Sequence, residues 1–126
     1  ATGSVAYRQH SMTAMAEHMA ALKVALTEQP QLIVEVGAHA AAIAATSEFI
    51  PAMFPKDGNL VDSAALPSVW DQSADFAAAA KRNEDLAQKL TDAAASGDPK
   101  IALAAFAALG RQGCGGCHET FRKAQG

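Results

Sequence analysis

Near its C-terminal end the sequence reads GRQGCGGCHETFRKAQG, a stretch that holds the chain's only two cysteines, Cys114 and Cys117, with His118 directly after the second. Closely spaced cysteines serve three chemistries: a redox disulfide, a zinc site and covalent attachment of haem. A thioredoxin-like pair normally follows a strand and opens a helix in a βαβ setting. No sustained alternation of Val, Ile, Thr and aromatics, the mark of such a strand, is present here. A structural zinc site needs four ligands. Cys114, Cys117 and His118 supply three at most, and His10, His18 and His39 stand alone in sequence. Two cysteines separated by two residues and followed at once by histidine form the attachment signal of c-type haem. One covalent haem c is therefore the expected cofactor, with Cys114 and Cys117 as its thioether residues and His118 as an iron ligand.

Helical geometry agrees with that chemistry. Positions i, i+3 and i+4 share one helix face, and Cys114, Cys117 and His118 have that spacing. Gly110, Gly113, Gly115 and Gly116 surround them. Each glycine in a helix interior costs about 1 kcal/mol relative to alanine, so the stretch would be a weak helix by itself. Missing side chains let a flat macrocycle lie close to the backbone, and its packing offsets the loss. Leu103, Phe106, Ala107 and Phe121 keep helical spacing on either side.

The elements that must carry this motif are helical. Half of the 126 residues are hydrophobic, yet only 6% are aromatic and many are alanine. Such a core is either very closely packed or filled by something that is not protein, and the haem supplies that filling. One helix is expected over about residues 4–27, with Val5, Met12, Met15, Met19, Leu22 and Leu26 on one face. A second begins at Pro30, which suits a first turn, carries Ile33, Val36, Ala40, Ile43 and Ile50, and stops before Pro51. A third runs over about residues 68–95 with Ser68 as N-cap and Phe76, Asn83, Leu86 and Leu90 as its stripe. Ser96-Gly97 ends it. Asp98-Pro99 caps and starts a fourth. Between Pro51 and Pro67, a segment also containing Pro55 and Gly58 reads as a crossing loop. The expected fold is all-α, an antiparallel four-helix bundle forming a single domain over residues 1–126, with the haem in its core.

A lone attachment motif in the last of four helices is similar to that of class II cytochromes c, the family of cytochrome c′ and its low-spin cytochrome c-556 relatives. The stretch CGGCHETFRK resembles the family's final motif, including Phe121 and Arg122. YRQHSMTAM resembles the start of its first helix, and PSVWDQ the start of its third. The resemblance implies that Arg8 and Gln9 lie by the haem propionates and that Met12 faces the distal side of the iron. Read by its own surroundings, Arg8 would be a solvated surface charge. Met12, Met15 and Met19 would be equivalent core filler, Met15 being a further pocket contact on this stripe. The resemblance selects Met12. Histidine–methionine ligation raises the potential and suits electron transfer, whereas an open distal position would bind nitric oxide or carbon monoxide. The loop FIPAMFPKDG resembles the low-spin branch more, which favours ligation. The family further implies a redox partner protein, a homodimer through the first two helices and, because haem is attached to cysteine outside the bacterial cytoplasm, a periplasmic location.

The remaining features are plainer. Arg122, one turn after His118, is either a cation complementing a helix C-terminus or a neighbour of the proximal imidazole. Phe54 and Phe121 are pocket walls or core. Trp70 is core or interface, His10 and His18 fall on a polar face, and His39 lies near the second helix's apolar stripe. Lys81, Arg82, Glu84, Asp85 and Asp92 form a solvated face. The net charge of −3 argues against a nucleic-acid partner, and no apolar run approaches a membrane span. No paired carboxylates, Ser/His/Asp order or phosphate-cradling loop emerges, so nothing points to an enzyme.

Overall fold

The structure, a computed structural model, describes residues 3–56 and 63–124. Helix α1 (Gly3–Glu28) buries Val5, Arg8, Met15, Leu22, Ala25 and Leu26, with Met12 and Met19 half-buried on the same face. Pro30 opens a single 3₁₀ turn rather than the next α-helix, and α2 (Ile33–Ser47) follows. Helix α2 inserts Val36, Ala40, Ile43, Ala44 and Ser47 into the core, a spacing that keeps one face inward. A second 3₁₀ turn, Pro51–Met53, leads into the crossing segment. Gly58 and the rest of residues 57–62, expected in that loop, lie outside the described residues.

The third helical stretch is split. Helix α3 (Ser68–Asp71) is one turn, Gln72 leaves helical geometry at φ −120° and ψ 48°, and α4 (Ser73–Ala95) then runs without interruption. Ser68 is not the expected N-cap: it is already helical, and its hydroxyl donates instead to the Thr120 carbonyl at 2.9 Å. The next boundary follows expectation. Gly97 takes φ 78°, a left-handed geometry that favours glycine. The Asp98 carboxylate accepts from the Lys100 N–H at 2.9 Å, and α5 (Pro99–Ala108) starts with Pro99.

Helices α1, α2, α4 and the C-terminal helical run form the antiparallel four-helix bundle. Helices α2 and α4 pack closely, and small residues are buried on both, Ala40 and Ala44 on α2 and Ala80, Ala87 and Ala94 on α4. Gly37 belongs to the α2–α4 seam: a Cβ placed there would stand 3.6 Å from the Ala94 Cβ. Among the described residues, the largest fully buried side chains are Leu22, Ile43, Leu90 and Leu109. Four aromatic residues collect elsewhere. Phe54, Phe76 and Phe121 stack edge-to-face at 4.9 and 5.1 Å, with Trp70 6.1 Å from Phe54 and donating to the Pro55 carbonyl at 2.7 Å. The three phenylalanines wall one end of the hollow described next.

Candidate functional site

Helix α5 does not continue as an α-helix into the cysteine motif. Residues Leu109–Gly115 form a π-helical segment, and α6 (Gly116–Phe121) restores the α-form. Cys114 therefore sits on a wider turn than the expected i, i+3, i+4 ladder, while Cys117 and His118 occupy the first turn of α6. Such π-segments are rare and occur mostly at functional sites. At two of the four glycines a side chain would be crowded, most severely at Gly113. A Cβ on Gly113 would fall inside the contact distance of the Asn83 Oδ1, and one on Gly115 would lie 3.1 Å from the Gly110 carbonyl oxygen. Gly110 and Gly116 meet nothing closer than ordinary contact.

The far end of α6 is stitched to the crossing segment. Leu66 N–H donates to the Phe121 carbonyl at 3.0 Å and Lys123 N–H to the Ala64 carbonyl at 2.7 Å, so Arg122 pairs with Ala65. This clamp fixes the helix turn that carries His118 and places Arg122 beside it.

Between α1 and the C-terminal run lies a hollow with two lobes, of about 300 and 360 Å³. Arg8, Gln9, Phe54, Ser63, Phe76 and Phe121 wall the first. Met15, Met19, Ile50, Asn83, Gly110, Gly113 and Cys114 wall the second. Met12, Cys117, His118 and Arg122 wall both. All ten expected site residues thus meet in one cleft, Met15 and Cys114 in the second lobe only.

The polar groups are unevenly distributed. Arg8 is not a solvated charge. It is 4% exposed, donates to the Ser63 hydroxyl at 2.9 Å and to the Met53 carbonyl at 3.5 Å, and lies 4.6 Å from the centre of the Phe54 ring. Burial lowers its pKa, but a guanidinium stays charged, so the first lobe presents a fixed cation. In the second lobe Asn83 Nδ2 donates to the Ser47 hydroxyl at 2.8 Å, and that hydroxyl donates to the Ile43 carbonyl at 2.7 Å and lies 3.8 Å from the Met15 sulfur. Asn83 Oδ1 is buried without a hydrogen-bond partner among the described residues, and it fills the space beside Gly113.

Both thiols are half-buried and free. Burial pushes the Cys114 thiol up, and burial with the neighbouring Cys114 does the same to Cys117. Reactive redox thiols need the opposite shift. Among the described residues no group of three His, Cys, Asp or Glu could hold a metal ion, so the zinc reading loses its ligand set. Burial, then the Arg122 charge, lowers the His118 pKa. The imidazole is accordingly neutral, the form that binds iron. A flat group with an apolar body and an anionic edge fits these walls: methionines, phenylalanines and alanines for its faces, two thiols at one rim, an imidazole for a central metal, and Arg8 for negative charge. Haem has those properties.

Sequence reasoning missed Ser63, Ser47 and the π-segment. Asn83 did leave a trace, as a polar residue within the apolar stripe of α4.

The chain is similar to known proteins along nearly its whole length. The sequence profile of the family described as Cytochrome C′ matches residues 4–122. The chain is 40% identical over 120 residues to a cytochrome c′ of Pararhodospirillum photometricum, covering 94% of this chain and 95% of that one. Among solved structures, the nitric oxide complex of a point mutant of cytochrome c prime from Alcaligenes xylosoxidans superposes with a TM-score of 0.85 at 29% identity, covering 96% and 94% of the two chains. A cytochrome c′ with an unusual ligand-controlled dimer dissociation superposes with a TM-score of 0.85 at 26% identity, covering 96% and 95%.

Proposed function

Because the chain belongs to the cytochrome c′ family, we propose that it is a one-electron carrier whose haem iron is held between His118 and Met12. Its cofactor is one covalent c-type haem, which supplies an iron that cycles between ferrous and ferric states. Cys114 and Cys117, the chain's only cysteines, are its thioether anchors. The His118 imidazole, whose pKa is lowered by burial and then by the Arg122 charge, is the proximal ligand. Arg8, with Gln9 near it, receives the propionate edge. Met12 closes the distal side, and Phe54 and Phe121 exclude water from the first lobe. The observation that carries this reading is that Met12, alone among the three methionines of the cleft, walls both lobes together with His118.

A second reading is a five-coordinate cytochrome c′ that binds nitric oxide or carbon monoxide at an open distal face. It draws support from the relative solved as a nitric oxide complex. Exposure of the reduced protein to carbon monoxide separates the two. An iron closed by Met12 takes up the gas slowly, since the thioether must leave first. Immediate, complete uptake favours the second reading.

Either reading describes an electron- or gas-handling protein rather than an enzyme. No helix among the described residues is long and apolar enough to cross a membrane. A periplasmic location follows from where bacteria attach haem to cysteine, and recovery of the haem-loaded protein from the periplasmic fraction checks it. We further propose a homodimer through α1 and α2, in keeping with the dimer of one solved relative. The redox partner is a second protein.

A further inference from the structure

Away from the cleft, two imidazoles meet between the first two helices. His18 of α1 and His39 of α2 are half-buried, and their Nδ1 atoms stand 2.8 Å apart. Their ring centres are 5.0 Å apart and their planes are inclined by 59°. The sequence alone sets His18 on a polar face and His39 near an apolar one. Packing of α1 on α2 brings them together, and nothing in the haem cleft uses them. As a hydrogen-bonded pair, one ring carries a proton on Nδ1 and the other keeps that nitrogen bare.

The same separation suits two neighbouring ligands of one metal ion. With metal–nitrogen bonds of about 2.0 Å, nitrogens 2.8 Å apart subtend an angle of about 90° at the ion. That is the angle between adjacent positions of a square-planar or tetragonal site, whereas tetrahedral zinc spreads its ligands wider. Square-planar nitrogen ligation points to divalent copper or nickel, and copper binds more tightly in the Irving–Williams order. We propose that His18 and His39 form a two-imidazole site for a divalent copper or nickel ion, outside the haem cleft.

The proton balance is simple. The proton on Nδ1 of one ring moves to its Nε2 through solvent, which leaves both Nδ1 lone pairs for the ion and releases no net proton. A small turn of each ring about its Cβ–Cγ bond, a torsion with broad minima, aims both lone pairs at the ion. Among the described residues no third His, Cys, Asp or Glu completes a set of three. Water fills the remaining positions, and copper is preferred over nickel and zinc by affinity rather than by a shaped cage.

The test uses the haem-loaded, oxidised protein titrated with Cu(II), followed by calorimetry and by electron paramagnetic resonance. One ion per chain is expected, with hyperfine coupling to two nitrogens. His18→Gln and His39→Gln should each weaken binding by about tenfold or more, at least the loss typical of disturbing a metal site's outer contacts. The double variant should lose little beyond either single one, and His10→Gln should bind as the parent does. Thermal unfolding and the haem absorbance establish that each variant is folded. Copper binding that survives in the double variant, or that depends on His10, overturns the proposal. So does saturation at one ion per two chains, which would put the metal between copies.

Discussion

Met12 on α1 and His118 on α6 each wall both lobes of the cleft, whereas Met15 and Met19, one and two turns further along the same helix face, wall only the second. Met15 is further distinguished by the Ser47 hydroxyl 3.8 Å from its sulfur. Three methionines that look equivalent in the sequence are therefore unequal in the fold, and Met12 is the one that lines the same two lobes as His118.

Replacing Met12 by leucine should open the distal position. The swap nearly conserves volume, so its folding cost should stay below about 1.5 kcal/mol. Low-spin iron should become high-spin, the potential should fall with loss of the thioether, and carbon monoxide should bind the reduced form faster. Met15→Leu and Met19→Leu should leave the spin state unchanged. Absorption spectra of the three variants decide it, and equal effects at all three positions would make Met12 core filler.

The haem should be covalent at both cysteines. Mass spectrometry of the native protein should give the polypeptide plus one haem, and the colour should stay with the protein on acid-acetone extraction. Cys117→Ala should keep a single thioether and shift the pyridine haemochrome spectrum. Haem that passes wholly into the organic phase from the native protein would refute the attachment.

Two glycine-to-alanine changes should act in opposite directions. At Gly37 the new methyl meets the Ala94 Cβ at 3.6 Å, an ordinary contact. The gain in helix propensity should then stabilise the protein by about 0.5–1 kcal/mol. At Gly113 the methyl collides with the buried Asn83 carboxamide, and overpacking of this kind costs roughly 1–3 kcal/mol. Chemical denaturation of the haem-loaded variants measures both.

Arg8→Leu should lower the reduction potential. In the proposed function the buried guanidinium beside Ser63 and Phe54 would offset the negative propionate edge, and its removal would favour the more positive ferric iron. Arg8→Lys should keep most of the parent's potential. A redox titration in which Arg8→Leu leaves the potential unchanged would remove Arg8 from the haem's surroundings.

The bundle was readable because its helices carry strong three- and four-residue repeats and clear ends, such as Gly97 and the Asp98 cap. The cofactor was readable because Cys114, Cys117 and His118 lie within one short motif. Other features depend on contacts distant in sequence. The split at Gln72 lies within a continuous helix-forming pattern, and Ser68 turns from a capping role to the Thr120 carbonyl only because α6 ends beside it. Glycine richness around Cys114 signals a weak helix but does not distinguish a π-segment from an ordinary one. An arginine in the first turns of a helix reads as solvated, and the burial of Arg8 depends on Ser63 and Met53 arriving from the crossing segment. Neither His18 nor His39 announces the other.

The most direct test of the proposed function is the absorption spectrum of the oxidised native protein. Ligation of iron by His118 and Met12 requires a low-spin ferric spectrum with the charge-transfer band of methionine-bound haem. A high-spin spectrum without that band would contradict it, leave the iron five-coordinate, and give first place to the gas-binding reading.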